Sequence, residues 1–163
     1  GTTTTSCGIL MSLNQRSNLW VFPVLKGFDS CMEMKDLFQR SAFDTDWLSE
    51  LFQQVEVYPN FHFGGYAQVT EELLDFIELF YKDTAIPLDP VYTAKAMYGL
   101  INRVEGLGIK DKRILFVHTG EFSIGEQLHE TGSVLDIEEC DWTSIQLTCI
   151  ESGTILCIQV EVF

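Results

Sequence analysis

The chain has 163 residues, and its 46% hydrophobic and 12% aromatic content supports one substantial core and excludes a disordered polymer. A formal net charge of −14 repels nucleic-acid phosphates and anionic membranes alike, so neither is an expected partner. No stretch reads as a secretory signal or a bilayer-crossing run, and five irregularly spaced cysteines without a C-x-x-C pair point to reduced thiols in the cytoplasm.

In chain order, the spacing predicts a helix over Thr3 to Leu13, entered from a threonine-rich start. Leu19-Trp-Val-Phe-Pro-Val-Leu25 is an apolar run of the kind buried on both faces of a parallel sheet, with Pro23 near its end because proline cannot donate to the ladder. Ser30 to Gln39 and Asp46 to Gln54 read as helices, and Glu56 to Phe63 as extended chain. Thr70 caps a stronger helix whose stripe is Leu73, Phe76, Ile77, Phe80 and Tyr81, a core face with no function implied. A further helix is expected from Pro90 to about Glu105, with Leu100, Ile101 and Val104 inward and Gly106 and Gly108 ending it. Lys112 to Val117 follows as a second buried strand, with His118-Thr119-Gly120 at its carboxyl end, where open α/β sheets place ligands. Alternating strands and helices make the fold class α/β. Residues 133–162 change to short alternating runs, expected as strands or a hairpin turning at Gly153.

The most informative stretch is Leu88-Asp-Pro-Val-Tyr-Thr-Ala-Lys-Ala-Met-Tyr-Gly99. Asp89 is a good N-cap and Pro90 suits the first helical position, which sets Tyr92 and Thr93 in the first turn. There the helix dipole favours negative charge, so a phenol is placed to give or take a proton. Spacing alone leaves a second reading open, that Tyr92 only packs at a helix start. No histidine or cysteine spacing fits zinc, so no metal site is expected. His118 reads as a half-buried hydrogen-bonding residue, His62 as a residue that orients Tyr66, and His129 as surface.

Four segments in order, Gly1-Thr-Thr-Thr-Thr-Ser-Cys-Gly-Ile9, Phe61-His-Phe-Gly-Gly-Tyr-Ala67, Leu88 to Gly99, and Ile114-Leu-Phe-Val-His-Thr-Gly120, resemble the pyridoxal-phosphate enzymes that include 1-aminocyclopropane-1-carboxylate deaminase and D-cysteine desulfhydrase. The resemblance spans roughly residues 1–120 and implies a partial three-layer open parallel sheet of the tryptophan-synthase-β-like kind, fold type II, with a β-rich C-terminal tail. It implies pyridoxal phosphate as cofactor, a small amino acid as substrate, and a homo-oligomer for the complete enzyme. Thr2, Thr4 and Thr5 would hold the cofactor phosphate, as amides and hydroxyls at a helix N-terminus do for anions. Thr119 would sit beside the pyridine nitrogen, and Tyr92 and Tyr66 would face the substrate as catalytic phenols. The deaminases carry Tyr-Glu at the key tyrosine, whereas this chain has Tyr92-Thr93. That favours β-elimination from a small D-amino acid over ring opening.

The chain also departs from the pattern. Thr3 stands where the family has glycine, at a position suited to positive φ. Glu121 replaces a second glycine after Gly120. The family's Schiff-base lysine lies upstream of the phosphate loop, and none of Lys26, Lys35, Lys82, Lys95, Lys110 and Lys112 stands in a matching segment. Lys95, three positions after Tyr92, is expected to reach solvent or a carboxylate. From Gly120 onward there are nine acidic residues and no lysine or arginine, and the resemblance stops there too. The expected division is therefore an incomplete cofactor-binding α/β domain over 1–120 and an acidic tail of unmatched sequence over 121–163, inactive alone. The rival reading is a non-catalytic remnant that acts by associating with a partner. An Asn-Lys-x-Arg-Lys-like segment encoded upstream would favour the enzyme. A third reading, a phosphate-binding module for another ligand, rests on the loop alone.

Overall fold

The computed structural model describes residues 3–13, 17–41, 47–110, 112 and 114–117, together with the backbone of 155–159. Among the described residues, five α-helices and four strands follow one another as α1 (Thr4–Ser12), β1 (Asn18–Phe22), α2 (Ser30–Arg40), α3 (Leu48–Leu51), β2 (Val55–Val57), α4 (Glu71–Thr84), α5 (Thr93–Gly106), β3 (Ile114–Val117) and β4 (Ile155–Gln159). The strands form one sheet in the order β2-β1-β4-β3, with every pair parallel. β4 comes from the acidic C-terminal region and has β1 on one side and β3 on the other, with Trp20 opposite Cys157 and Phe116 opposite the same residue. The remaining tail segments read as strands or a hairpin lie outside the described residues.

Alternation along β1 and β3 divides the core between the two faces of the sheet, because successive side chains point to opposite sides. Trp20 and Phe22 pack with Leu73, Ile77 and Phe80 of α4 and Ala96, Met97 and Leu100 of α5. Leu19 and Val21 pack with Cys7 and Leu10 of α1, Met34 and Phe38 of α2, and Leu48 of α3. Helices therefore cover both faces, and the chain is a mixed α/β structure with a small parallel sheet between them. No helix among the described residues is long and apolar enough to cross a membrane.

Local chemistry sets the helix ends. Asp29 accepts from the Met32 amide at 2.9 Å and opens α2, whose last turn carries Arg40 paired to Asp36 at 2.6 Å. Thr70 caps α4 by accepting from Leu73 N at 3.3 Å. Leu73, Ile77 and Phe80 are buried as expected, but Tyr81 is 55% exposed. It lies at the margin of the stripe, since it falls about 80° around the helix from Leu73 at 100° per residue. The expected helix over 46–54 condenses to α3 and a 3₁₀ turn over Phe52–Gln54, with Asp46 outside the described residues. The extended segment is shorter than expected as well. β2 ends at Val57 and a 3₁₀ turn follows over Pro59–Phe61, because Pro59 has no amide to give the ladder and fits the start of a turn. β3 is half-buried rather than fully buried, since it is the outer strand of the sheet.

Candidate functional site

The first turn of α5 is built around Asp89, which is buried. Its carboxylate accepts from the amides of Val91 at 2.9 Å, Tyr92 at 2.7 Å and Thr93 at 2.8 Å, and from the Thr93 hydroxyl at 2.7 Å. The Thr93 oxygen in turn accepts from Asp89 N at 2.7 Å. Asp89 is thus the cap the sequence called for, but the helix begins three residues later than the cap rule placed it. Pro90, Val91 and Tyr92 form a turn closed by Ala94 N to Asp89 O at 3.0 Å, and regular helix starts at Thr93. Tyr92 stands immediately before the helix, not within its first turn, so its phenol is still delivered to the N-terminal end.

Tyr66 meets it there. The Tyr92 hydroxyl donates to the Tyr66 oxygen at 3.4 Å, and the two rings lie 6.0 Å apart between centroids. Tyr92 is half-buried and Tyr66 is 49% exposed, so the pair opens to solvent. Tyr66 rides on a loop with unusual backbone. Phe63, Gly64, Gly65 and Ala67 all have positive φ, at 51°, 98°, 133° and 53°. For Phe63 and Ala67 that conformation costs roughly 1–2 kcal/mol each. His62 helps hold the loop, as its Nδ1 accepts from Gly64 N at 3.0 Å. The bond lies within the turn that precedes Tyr66.

A residue set aside by sequence reasoning proves central to this arrangement. Lys95 is 1% exposed, and its ammonium donates to the His62 carbonyl at 3.1 Å and the Gly65 carbonyl at 2.8 Å. The expectation that it reaches solvent or a carboxylate is overturned, because Thr93 through Met97 are all buried and leave the side chain no route outward. Burial pushes its pKa below the ordinary value, opposed by the Asp89 carboxylate. A signal existed in the sequence. Lys95 is flanked by Ala94 and Ala96 in a turn of small and apolar residues, which is how a helix buried all round reads.

The residues expected at the phosphate are separate. Thr4 and Thr5 are exposed at the start of α1, on the opposite face of the sheet from α5. The structure does not bring them into the phenol pair. Both helices precede a parallel strand, so both direct their N-termini to the carboxyl edge of the sheet. Thr3, just before α1, takes φ 49° and ψ 10°, the glycine-like conformation that its place in the motif suggested. No acidic residue lies in the first turn of α1, so its donor set of amides and threonine hydroxyls fits a phosphate. Thr2, Thr119, His118 and His129 lie outside the described residues.

The chain is thus an α/β protein with two phenols paired at a helix N-terminus, on the carboxyl edge of its parallel sheet. Comparison with known proteins narrows this class. Over 70 residues the chain is 40% identical to a putative 1-aminocyclopropane-1-carboxylate deaminase of Pyrococcus furiosus, covering 43% of this chain and 21% of that protein. Over 58 residues it is 45% identical to a bifunctional D-cysteine desulfhydrase/1-aminocyclopropane-1-carboxylate deaminase, mitochondrial, of Arabidopsis thaliana, covering 34% and 14% respectively. A putative deaminase of Pyrococcus horikoshii is 41% identical over 73 residues, or 43% of this chain and 22% of that one. Over these stretches the chain is homologous to the 1-aminocyclopropane-1-carboxylate deaminase and D-cysteine desulfhydrase proteins that its motifs resemble. It spans between 14% and 22% of the length of these relatives. No family model and no solved structure matches.

Proposed function

We propose that this chain carries the substrate-side and phosphate-side residues of a pyridoxal-phosphate-dependent lyase or deaminase of fold type II, acting on a small amino acid. The observation that carries the reading is the Tyr92–Tyr66 phenol pair at the head of α5. When bound, pyridoxal phosphate supplies an electron sink next to the amino-bearing carbon. The chain's own residues do the rest. By the resemblance, Thr2, Thr4, Thr5 and the first amides of α1 would hold the phosphate, and Thr119 would sit beside the pyridine nitrogen. Tyr92 and Tyr66 hold or move a proton at a phenol oxygen on the substrate side. Thr93 has no carboxylate to offer, and its hydroxyl is committed to Asp89. This supports a D-cysteine desulfhydrase-like β-elimination over ring opening. The cytoplasm and a homo-oligomeric whole enzyme complete the reading.

A second reading, a remnant without turnover that associates with a partner, is supported by Thr3. A β-branched residue held at φ 49° keeps a strained backbone where the phosphate is to be received. An absorbance titration with pyridoxal phosphate, then borohydride reduction and peptide mapping, separates the two. Saturable binding weakened by Thr4→Val and Thr5→Val is expected. Sulfide release from D-cysteine, lost in Tyr92→Phe, is expected once the lysine-bearing segment of a relative is joined to the chain. Absence of saturable binding in both the chain and the joined version would refute the enzyme reading.

A further inference from the structure

Tyr66 and Tyr92 come from different elements, and nothing in either tyrosine explains how two exposed-side phenols keep a fixed separation. Tyr92 is anchored by the Asp89 cap at the rigid end of α5. Tyr66 sits on a loop of left-handed residues that local geometry does not favour, and side chains of α5 reach it: the Tyr98 ring packs edge-on against Phe63 at 5.0 Å between centroids, and Lys95 supplies the polar contact. The Lys95 ammonium bonds the carbonyls of His62 and Gly65, one on each side of the turn that leads to Tyr66. Gly65 is itself buried, and a Cβ built on it would lie 3.8 Å from the Cβ of Lys26, just past β1. The loop is therefore closed between α5 and the chain that leaves β1, with Lys95 as its polar tie.

We infer that Lys95 is a positioning residue. By clasping the His62 and Gly65 carbonyls it fixes the Tyr66 loop to α5 and sets the phenol-to-phenol contact with Tyr92. The inference rests on the reading above only for what the pair does with a substrate. The contact itself belongs to this chain and is measurable without cofactor.

The experiment uses the whole chain with 3-fluorotyrosine at its five tyrosines, assigned by single Tyr→Phe changes and read by fluorine NMR. In the native chain, Tyr66→Phe is expected to shift the Tyr92 resonance, because it removes the hydroxyl 3.4 Å away. In Lys95→Met that shift is expected to vanish while the Tyr58 and Tyr81 resonances stay in place. A lysine with a merely structural role would lower stability and leave the Tyr66-to-Tyr92 shift intact. Lys95→Met that folds and keeps the shift overturns the inference, as does a native chain in which Tyr66→Phe leaves Tyr92 unmoved. If Lys95→Met does not fold, Lys95→Gln, uncharged and too short to span both carbonyls, is read in the same way. Failure of both variants to fold makes Lys95 a determinant of the whole fold and rejects the positioning role. Failure of the cofactor reading instead appears as absent pyridoxal phosphate binding with the tyrosine coupling unchanged.

Discussion

Gly99 lies midway along α5, where the helix crosses β1 and the turn after β2. A Cβ placed there would sit 2.5 Å from Cδ1 and 2.7 Å from Cε1 of Phe22, and 2.9 Å from Cγ of Phe61. Carbon atoms in contact prefer about 3.5–4.0 Å, so Gly99→Ala forces an overlap of about 1 Å. Phe22 cannot give way easily. It is 1% exposed and wedged against Tyr58 and Phe61, with ring centroids 5.3 and 5.8 Å away. Overpacking a well-filled core costs about 1–3 kcal/mol, and alanine recovers up to about 1 kcal/mol of helix propensity. The net expectation is a loss of about 1–2 kcal/mol, or a few degrees in Tm for a chain of this size. Gly106, the last residue of the same helix, is the control, because a Cβ there meets nothing within 4 Å. Urea melts should show Gly99→Ala clearly less stable than native and Gly106→Ala equal or more stable. If Gly99→Ala matches Gly106→Ala, the close approach of α5 to β1 is wrong, and with it the placement of Tyr92.

Three further outcomes are expected. Asp89→Ala strands three amides and the Thr93 hydroxyl, and should cost about 2 kcal/mol in urea midpoints, the range of a lost cap with buried donors left unpaired. Burial lowers the folded pKa of Lys95 below its ordinary 10.5, so between those values the unfolded chain binds the extra proton and stability rises with pH. Native chain should therefore gain on Lys95→Met as pH is raised from 7 toward 10, and a gap that stays flat or shrinks would contradict a buried ammonium. Thr3→Gly relieves a left-handed β-branched residue at the start of α1 and should tighten pyridoxal phosphate binding, which a fluorescence titration checks.

Much of the architecture was legible because it rests on strong local rules. The apolar run before Pro23 could only be a buried strand, Thr70 stands where a cap belongs, and the α4 stripe repeats at helical spacing. The phenols Tyr92 and Tyr66 were legible through motif resemblance, and their meeting across 26 positions of sequence was not. Two failures share one cause, competition between a local rule and a tertiary one. The cap rule put Pro90 into α5, but the Asp89 carboxylate bonds the next three amides in a turn and delays the helix to Thr93. Charge alone sent Lys95 to solvent, but the surrounding turn is buried and the loop carbonyls offer it partners. The central position of β4 has no local signal at all, since parallel pairing joins residues far apart in sequence.

Stability alone does not account for an ammonium in that position. Taking a lysine out of water is costly, and a well-packed apolar side chain in place of a buried charge is often neutral or stabilising. Methionine would fill the space at Lys95 with no charge to desolvate. What it cannot do is hold two carbonyls of a loop whose backbone is already strained at Phe63 and Ala67. The two halves of the site are thus secured by different means. Asp89 satisfies the head of α5 from within the same segment, whereas the Tyr66 loop adds a donor from another element to its own bonds, such as Gly65 N to the His62 carbonyl at 3.0 Å. A disturbance of α5 moves Tyr92 together with the cation that holds Tyr66, so the phenols shift as a unit. Lys95→Met removes the polar part of that tie and leaves the Phe63–Tyr98 packing in place, which is why it is the change that tests how the two phenols are held.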